Sequence, residues 1–136
     1  MSTFSPAVLG QTEKALNAIL DRQLAGAVTE RQWVTLVLAS GDASDLDELT
    51  GRVAGGLKVG DADARELIDA LAAAGFVHVA GSVTLTDAGR KLFDDTRVAV
   101  AEITNRMWGD LPAEDLDAAG RVLSTVLERA NAELAG

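Results

Sequence analysis

Cysteine is absent from the 136 residues, which excludes disulfides, thiol redox switches, thiolate metal sites and a cysteine nucleophile together. Histidine occurs once, at His78, so multi-histidine zinc sites and most His-centred catalysis lack their side chains. Positive charge is scarce. Twelve Lys and Arg stand against 21 Asp and Glu, a formal net charge of −9. That balance argues against a general nucleic-acid coat or a polybasic membrane binder, since both need a positive surface. No apolar run approaches the ~20 residues of a membrane span. Met1 to Pro6 carries neither the positive nor the apolar region of a signal peptide, so a cytoplasmic protein is expected. What is present is 48% hydrophobic and 24% charged, the composition of a folded globular chain. Carboxylates abound, yet nothing pairs them across a cleft, and no enzyme, cofactor or metal site is expected.

Helix is the dominant pattern. Leu9, Leu16, Ile19, Leu20 and Leu24 form a 3.6-period stripe over about 6–24, with Gly26 as the expected stop. Thr29 opens a second helix, and Gln32 three residues on completes a capping-box spacing. This helix carries Trp33, Leu36, Val37 and Leu38 and stops near Gly41. After the turn cluster Gly41-Asp42-Ala43-Ser44-Asp45, Leu46, Leu49 and Val53 predict a third helix over about 45–57. Asp61 or Asp63 is the expected cap of a fourth, whose apolar face is Leu67, Ile68 and Leu71 and which closes at Gly75. Residues 76–80 and 82–85 flank Gly81 as a β-hairpin with a very tight turn, Val77 and Val79 facing the same side as Val83 and Leu85. Thr86 caps a long fifth helix that reaches about Trp108 and ends at Gly109. Pro112 is expected in the first turn of a sixth, with Leu116, Ala119, Leu123, Val126, Ala130 and Leu134 in repeat.

A helix, a second helix and a hairpin in sequence make a winged helix-turn-helix, in which the helix before the hairpin faces the DNA major groove. The terminal helices are too long and too apolar for that small head, and paired termini of this kind form a helical dimer interface. The expectation is a mainly α, single-domain chain over 1–136. Its winged-helix lobe spans about 28–92, and its dimerisation helices about 5–27 and 93–136. Leu16, Leu20, Leu123, Val126 and Leu127 are expected at or near the interface of a homodimer.

Four stretches carry a resemblance to the MarR-type winged-helix transcriptional regulators. Thr29-Glu30-Arg31-Gln32-Trp33-Val34-Thr35-Leu36 is similar to the family's "LTxxQWxVL" opening of helix two. Leu67-Ile68-Asp69-Ala70-Leu71 with Gly75-Phe76-Val77 resembles "LVDRLxxxGLV". Leu85-Thr86-Asp87-Ala88-Gly89-Arg90-Lys91-Leu92 resembles "LTxxGRxL" after the wing, and Leu111-Pro112-Ala113-Glu114-Asp115-Leu116 resembles "LxxEDL". Each is weak alone, and the set in this order is specific. The resemblance implies a triangular homodimer with two DNA-reading lobes, binding operator DNA, often with a ligand cleft between lobe and dimer interface.

Two departures bear on DNA. Where such regulators offer Ser, Thr and Arg from the early recognition helix, this chain has Ala62-Asp63-Ala64-Arg65-Glu66. The long basic wing is reduced to Val79-Ala80-Gly81-Ser82, without Arg or Lys. From Asp42 to Asp69 there are eight carboxylates (42, 45, 47, 48, 61, 63, 66 and 69) against Arg52, Lys58 and Arg65, a net of −5. A DNA-contacting surface releases counterions through Lys and Arg, so binding to double-stranded DNA is expected to be weak. The alternative is a relative that kept the fold, lost DNA affinity, and acts through protein contacts or a ligand.

The candidate DNA-binding residues are Arg52, Lys58, Asp63, Arg65 and His78. For Arg65 the competing reading is an intrahelical partner of Asp61 or Asp69, both four residues away. Arg52 is equally a solvated helix charge. Lys58 lies in the turn before the recognition helix, where a phosphate contact is reasonable. His78 at the wing base is either a pH-sensitive or ligand-facing group or a strand histidine without special task. Trp33, Met107 and Trp108 are candidates for a pocket holding a small aromatic ligand, against the alternative of ordinary core packing. Arg90 is expected to brace the wing through an ion pair, as the resemblance implies. Gly51 to Gly56 has the glycine spacing of a P-loop, but Leu57 stands where lysine is needed. Asp42, Asp45, Asp47 and Glu48 lack the ligand pattern and glycine of a calcium loop.

Overall fold

A computed structural model describes residues 3–42 and 44–136. Met1, Ser2 and, from the expected turn at 41–45, Ala43 lie outside the described residues. The chain divides into two compact units, Met1–Val100 and Ala101–Gly136.

In the first unit, α1 (Pro6–Leu24) starts with proline at its first position and Ser5 as cap, the hydroxyl accepting from the Val8 amide at 3.2 Å. It ends on Ala25 in left-handed conformation (φ 52°), followed by Gly26 (φ 82°). The helix thus ends at Leu24 as expected, the left-handed turn being shared by Ala25 and Gly26. At α2 (Glu30–Ala39) both capping-box bonds form: Thr29 Oγ1 accepts from the Gln32 amide, and Gln32 Oε1 from the Thr29 amide at 2.9 Å. α3 (Leu46–Leu57) is capped by Asp45, whose carboxylate accepts from the Glu48 amide at 2.7 Å.

The helix-turn-helix closes differently from expectation. α4 (Asp61–Ala73) is capped by Gly60, without a side-chain hydrogen bond, and not by Asp61 or Asp63. Gly60 already has the extended backbone of a cap (ψ 164°), so both aspartates fall inside the first turn. There they favour the helix through its dipole instead.

β2 (Val77–Ala80) and β3 (Ser82–Leu85) pair antiparallel, Val77 opposite Leu85 and Val79 opposite Val83, which puts all four apolar side chains on one face. Ala80 pairs with Ser82 directly across Gly81, whose φ of +72° makes so short a turn feasible. A third strand, β1 (Ser44–Asp45), joins the outer side of β3 and gives the sheet order β1-β3-β2. The expectation was a hairpin alone. Two residues carry no alternation from which a strand can be read.

Leu36, Leu49, Val53, Ile68, Leu71 and Val83 are fully buried, one or two from each of α2, α3, α4 and β3. Leu24 of α1 joins this core, and Leu20, Trp33 and Phe93 pack against it. Thr35 and Thr50 are buried with their hydroxyls donating to the carbonyls of Arg31 and Leu46. That satisfies both groups without interrupting the apolar packing.

α5 (Asp87–Trp108) begins at a compact junction. Thr86 donates through Oγ1 to the Gly75 carbonyl at 2.6 Å and accepts from the Gly89 amide at 3.1 Å. Its own amide donates to the Phe76 carbonyl at 3.1 Å. One threonine therefore ties the end of α4 to the start of α5. In the second unit, α6 (Ala113–Ala135) follows Pro112, which is its cap and not part of its first turn. None of its residues is buried, and Leu116, Val122, Leu123, Val126, Leu127 and Leu134 are all exposed.

Candidate nucleic-acid interface

α4 buries Ala64, Ile68 and Leu71 and turns Ala62, Glu66, Asp69 and Ala73 outward. The spacing is that of a helix with one face in the core. The middle of the outward face is thus occupied by carboxylates, and Arg65, the single base of α4, lies exposed beside them. Its Nε is 3.8 Å from Asp69 Oδ1, so Asp69 and not Asp61 is its intrahelical partner. Asp61 and Asp63 are exposed at the N-terminus of the helix.

The other two bases of the head are also engaged by the chain itself. Arg52, exposed on α3, donates through Nη2 to Ser44 Oγ at 2.5 Å, and Ser44 Oγ in turn donates to the Asp42 carbonyl at 3.3 Å. Lys58 occupies the turn between α3 and α4 in left-handed conformation (φ 58°), its Nζ donating to the Gly55 carbonyl at 2.8 Å. His78 is exposed on β2, opposite Thr84 and on the face turned away from Val77 and Val79.

Arg90 does not form the expected ion pair among the described residues. Its guanidinium lies 5.7 Å from the centroid of the Phe93 ring, and that of Arg97 lies 5.6 Å from the same ring. The physical reason is helical spacing: positions 90, 93 and 97 share one face of α5, so the ring is the nearest partner. Trp33 stacks on Phe93 with centroids 5.8 Å apart and planes inclined by 24°. Phe93 and Arg97 are missing from the sequence-based candidates, although that same spacing would have found them. Met107 and Trp108, at the end of α5 in the second unit, are both exposed. A groove of about 590 Å³ at the junction of α1 and α2 is lined by Asp21, Gly26, Val28, Thr29, Glu30 and Arg31, not by Trp33.

On the outer side of α5, Lys91 donates to Asp95 at 2.7 Å, and that hydrogen bond raises the lysine pKa. Among the described residues no group of three or more His, Asp or Glu is arranged to hold a metal ion, and no helix is long and apolar enough to cross a membrane.

A helix-turn-helix, a minimal wing and long flanking helices make a winged helix-turn-helix fold. No protein-family model matches the chain, and no curated protein is significantly similar to it. Solved structures are. The chain is similar to the transcriptional regulator PA3341 at a TM-score of 0.75 and 24% identity, over 92% of this chain and 96% of that one. CouR from Rhodococcus jostii RHA1, solved bound to p-coumaroyl-CoA, superposes at 0.74 with 20% identity over 88% of each chain. The MarR family protein Rv2887 of Mycobacterium tuberculosis, solved in complex with DNA, does so at 0.69 with 20% identity, over 92% and 98%. At these identities the likeness establishes the fold.

Proposed function

We propose that the chain is a homodimeric transcriptional regulator that binds operator DNA through α4 and responds to a small aromatic ligand near Trp33. The observation that carries this reading is the placement of α4. Its apolar stripe is anchored in the core, its outward face is free, and the regulators with this fold include one solved on DNA. Because Gly60 leaves the first turn of α4 without a side-chain cap, its amides are available to a phosphate. Lys58 stands next to that turn, and Arg65 one helical turn further on. The ligand half of the reading is supported by the Trp33–Phe93 stack with its two guanidiniums, and by CouR having been solved with a ligand.

A second reading is favoured by a specific observation. The stretch from Asp42 to Asp69 carries a net of −5, and its three bases all contact their own chain. A relative without DNA affinity, acting through protein contacts or a ligand, would have such a surface. A mobility-shift assay with the DNA upstream of its own coding sequence, at low and physiological salt, separates the two. Specific binding that survives about 150 mM salt and falls on Arg65→Ala supports the regulator, since operators are occupied in that range. Absence of specific binding even at low salt removes it and leaves the second reading.

A further inference from the structure

We propose that Asp69 is an autoinhibitory residue of the reading head: it holds Arg65 in an ion pair that a DNA phosphate must displace, and thereby keeps operator affinity low. The inference rests on the operator-binding reading above. Arg65 is the sole base among the 13 residues of α4, so whatever holds its guanidinium governs the positive charge that this helix presents. Side chains on a helix lean toward its N-terminus, which carries the Asp69 carboxylate back over the preceding turn to Arg65.

The pair is loose and wet. Its separation is 3.8 Å, and the two side chains are 47% and 66% exposed. An exposed pair of this kind is easily exchanged for another anion. Phosphate is a good competitor because a guanidinium can bind it through two parallel hydrogen bonds. Asp69 therefore acts as an internal stand-in for phosphate: it sets a threshold and does not block the site. Arg52 and Lys58 differ in kind, since a neutral hydroxyl and a backbone carbonyl hold them and neither adds negative charge. Among the described residues only Arg65 of the three is opposed by a carboxylate, so only there does one neutralising substitution free a cation.

The test is a fluorescence-anisotropy titration of a labelled duplex from upstream of its own coding sequence, across a salt series. The proteins are wild type, Asp69→Asn, Glu66→Gln, Arg65→Ala and the Arg65→Ala/Asp69→Asn double variant, with folding checked by circular dichroism. Asp69→Asn is expected to bind about 3- to 10-fold more tightly at low salt, because Arg65 then reaches the same phosphate without first leaving a carboxylate. The gain is expected to vanish in the Arg65→Ala background, because the cycle isolates what passes through Arg65. An equal gain from Glu66→Gln, or a gain that persists without Arg65, overturns the inference in favour of general charge repulsion. Wild-type binding that Asp69→Asn leaves unchanged overturns it alone. Failure of every variant to bind at low salt removes the operator reading and the inference with it.

Discussion

Gly89, the third residue of α5, lies so close to the backbone of Phe76 that a Cβ built on it would overlap the Phe76 carbonyl oxygen. That carbonyl already accepts from the Thr86 amide at 3.1 Å, so neither segment can withdraw without breaking the bond. Gly89→Ala is therefore expected to destabilise the protein by at least about 3 kcal/mol, as backbone overlap in a packed site does. Gly51→Ala is the control. It is exposed within α3, its Cβ would meet nothing within 4 Å, and the gain in helix propensity is expected to stabilise by roughly 0.5–1 kcal/mol. Urea unfolding of both variants checks the pair.

Lys58 offers a separation of stability from DNA binding. A non-glycine residue in left-handed conformation costs about 1 kcal/mol, and a glycine there does not. Lys58→Gly is expected to raise the unfolding midpoint while weakening binding to operator DNA, since it removes one of the three bases between Asp42 and Asp69. Thermal unfolding and a shift assay on the same preparation test both directions at once.

Much of this fold is legible in the sequence because its signals are local. The capping box at Thr29 and Gln32 depends only on a three-residue spacing, and the Val77, Val79, Val83 and Leu85 face depends only on alternation about a tight turn. Helix caps mislead where side-chain preference points one way and backbone geometry another. Aspartate is the better cap by type, yet Gly60 holds the cap position of α4. β1 is not legible, because it requires that Ser44 reach Val83 of β3 across the fold, and the Arg52–Ser44 contact spans eight residues, a separation that no helical or strand periodicity announces. The Arg65–Asp69 pair follows from four-residue spacing. Choosing Asp69 over Asp61 needs coordinates.

α6 bears on assembly. Leu116, Leu123, Val126 and Leu127 are exposed on a helix with no buried residue, and the proposed homodimer would cover them. A dimeric mass is expected at micromolar concentration by sedimentation equilibrium. Leu123→Asp with Val126→Asp is expected to yield a monomer or an unfolded chain. A wild-type monomer at that concentration would contradict the homodimer.

Trp33 offers a test of the proposed ligand. Because its indole stacks on Phe93, an aromatic compound bound there should change its emission. Titration with phenolic aromatic acids is expected to quench wild-type fluorescence and to leave Trp33→Phe unresponsive. Quenching that persists in that variant would move the ligand to Trp108.

The most direct test of the operator-binding claim is a DNase footprint of the protein on the DNA upstream of its own coding sequence, at about 150 mM salt. Two protected half-sites about one helical turn apart, with protection lost in Arg65→Ala, are the expected result for a winged-helix dimer reading through α4. An unprotected ladder at saturating protein would contradict it.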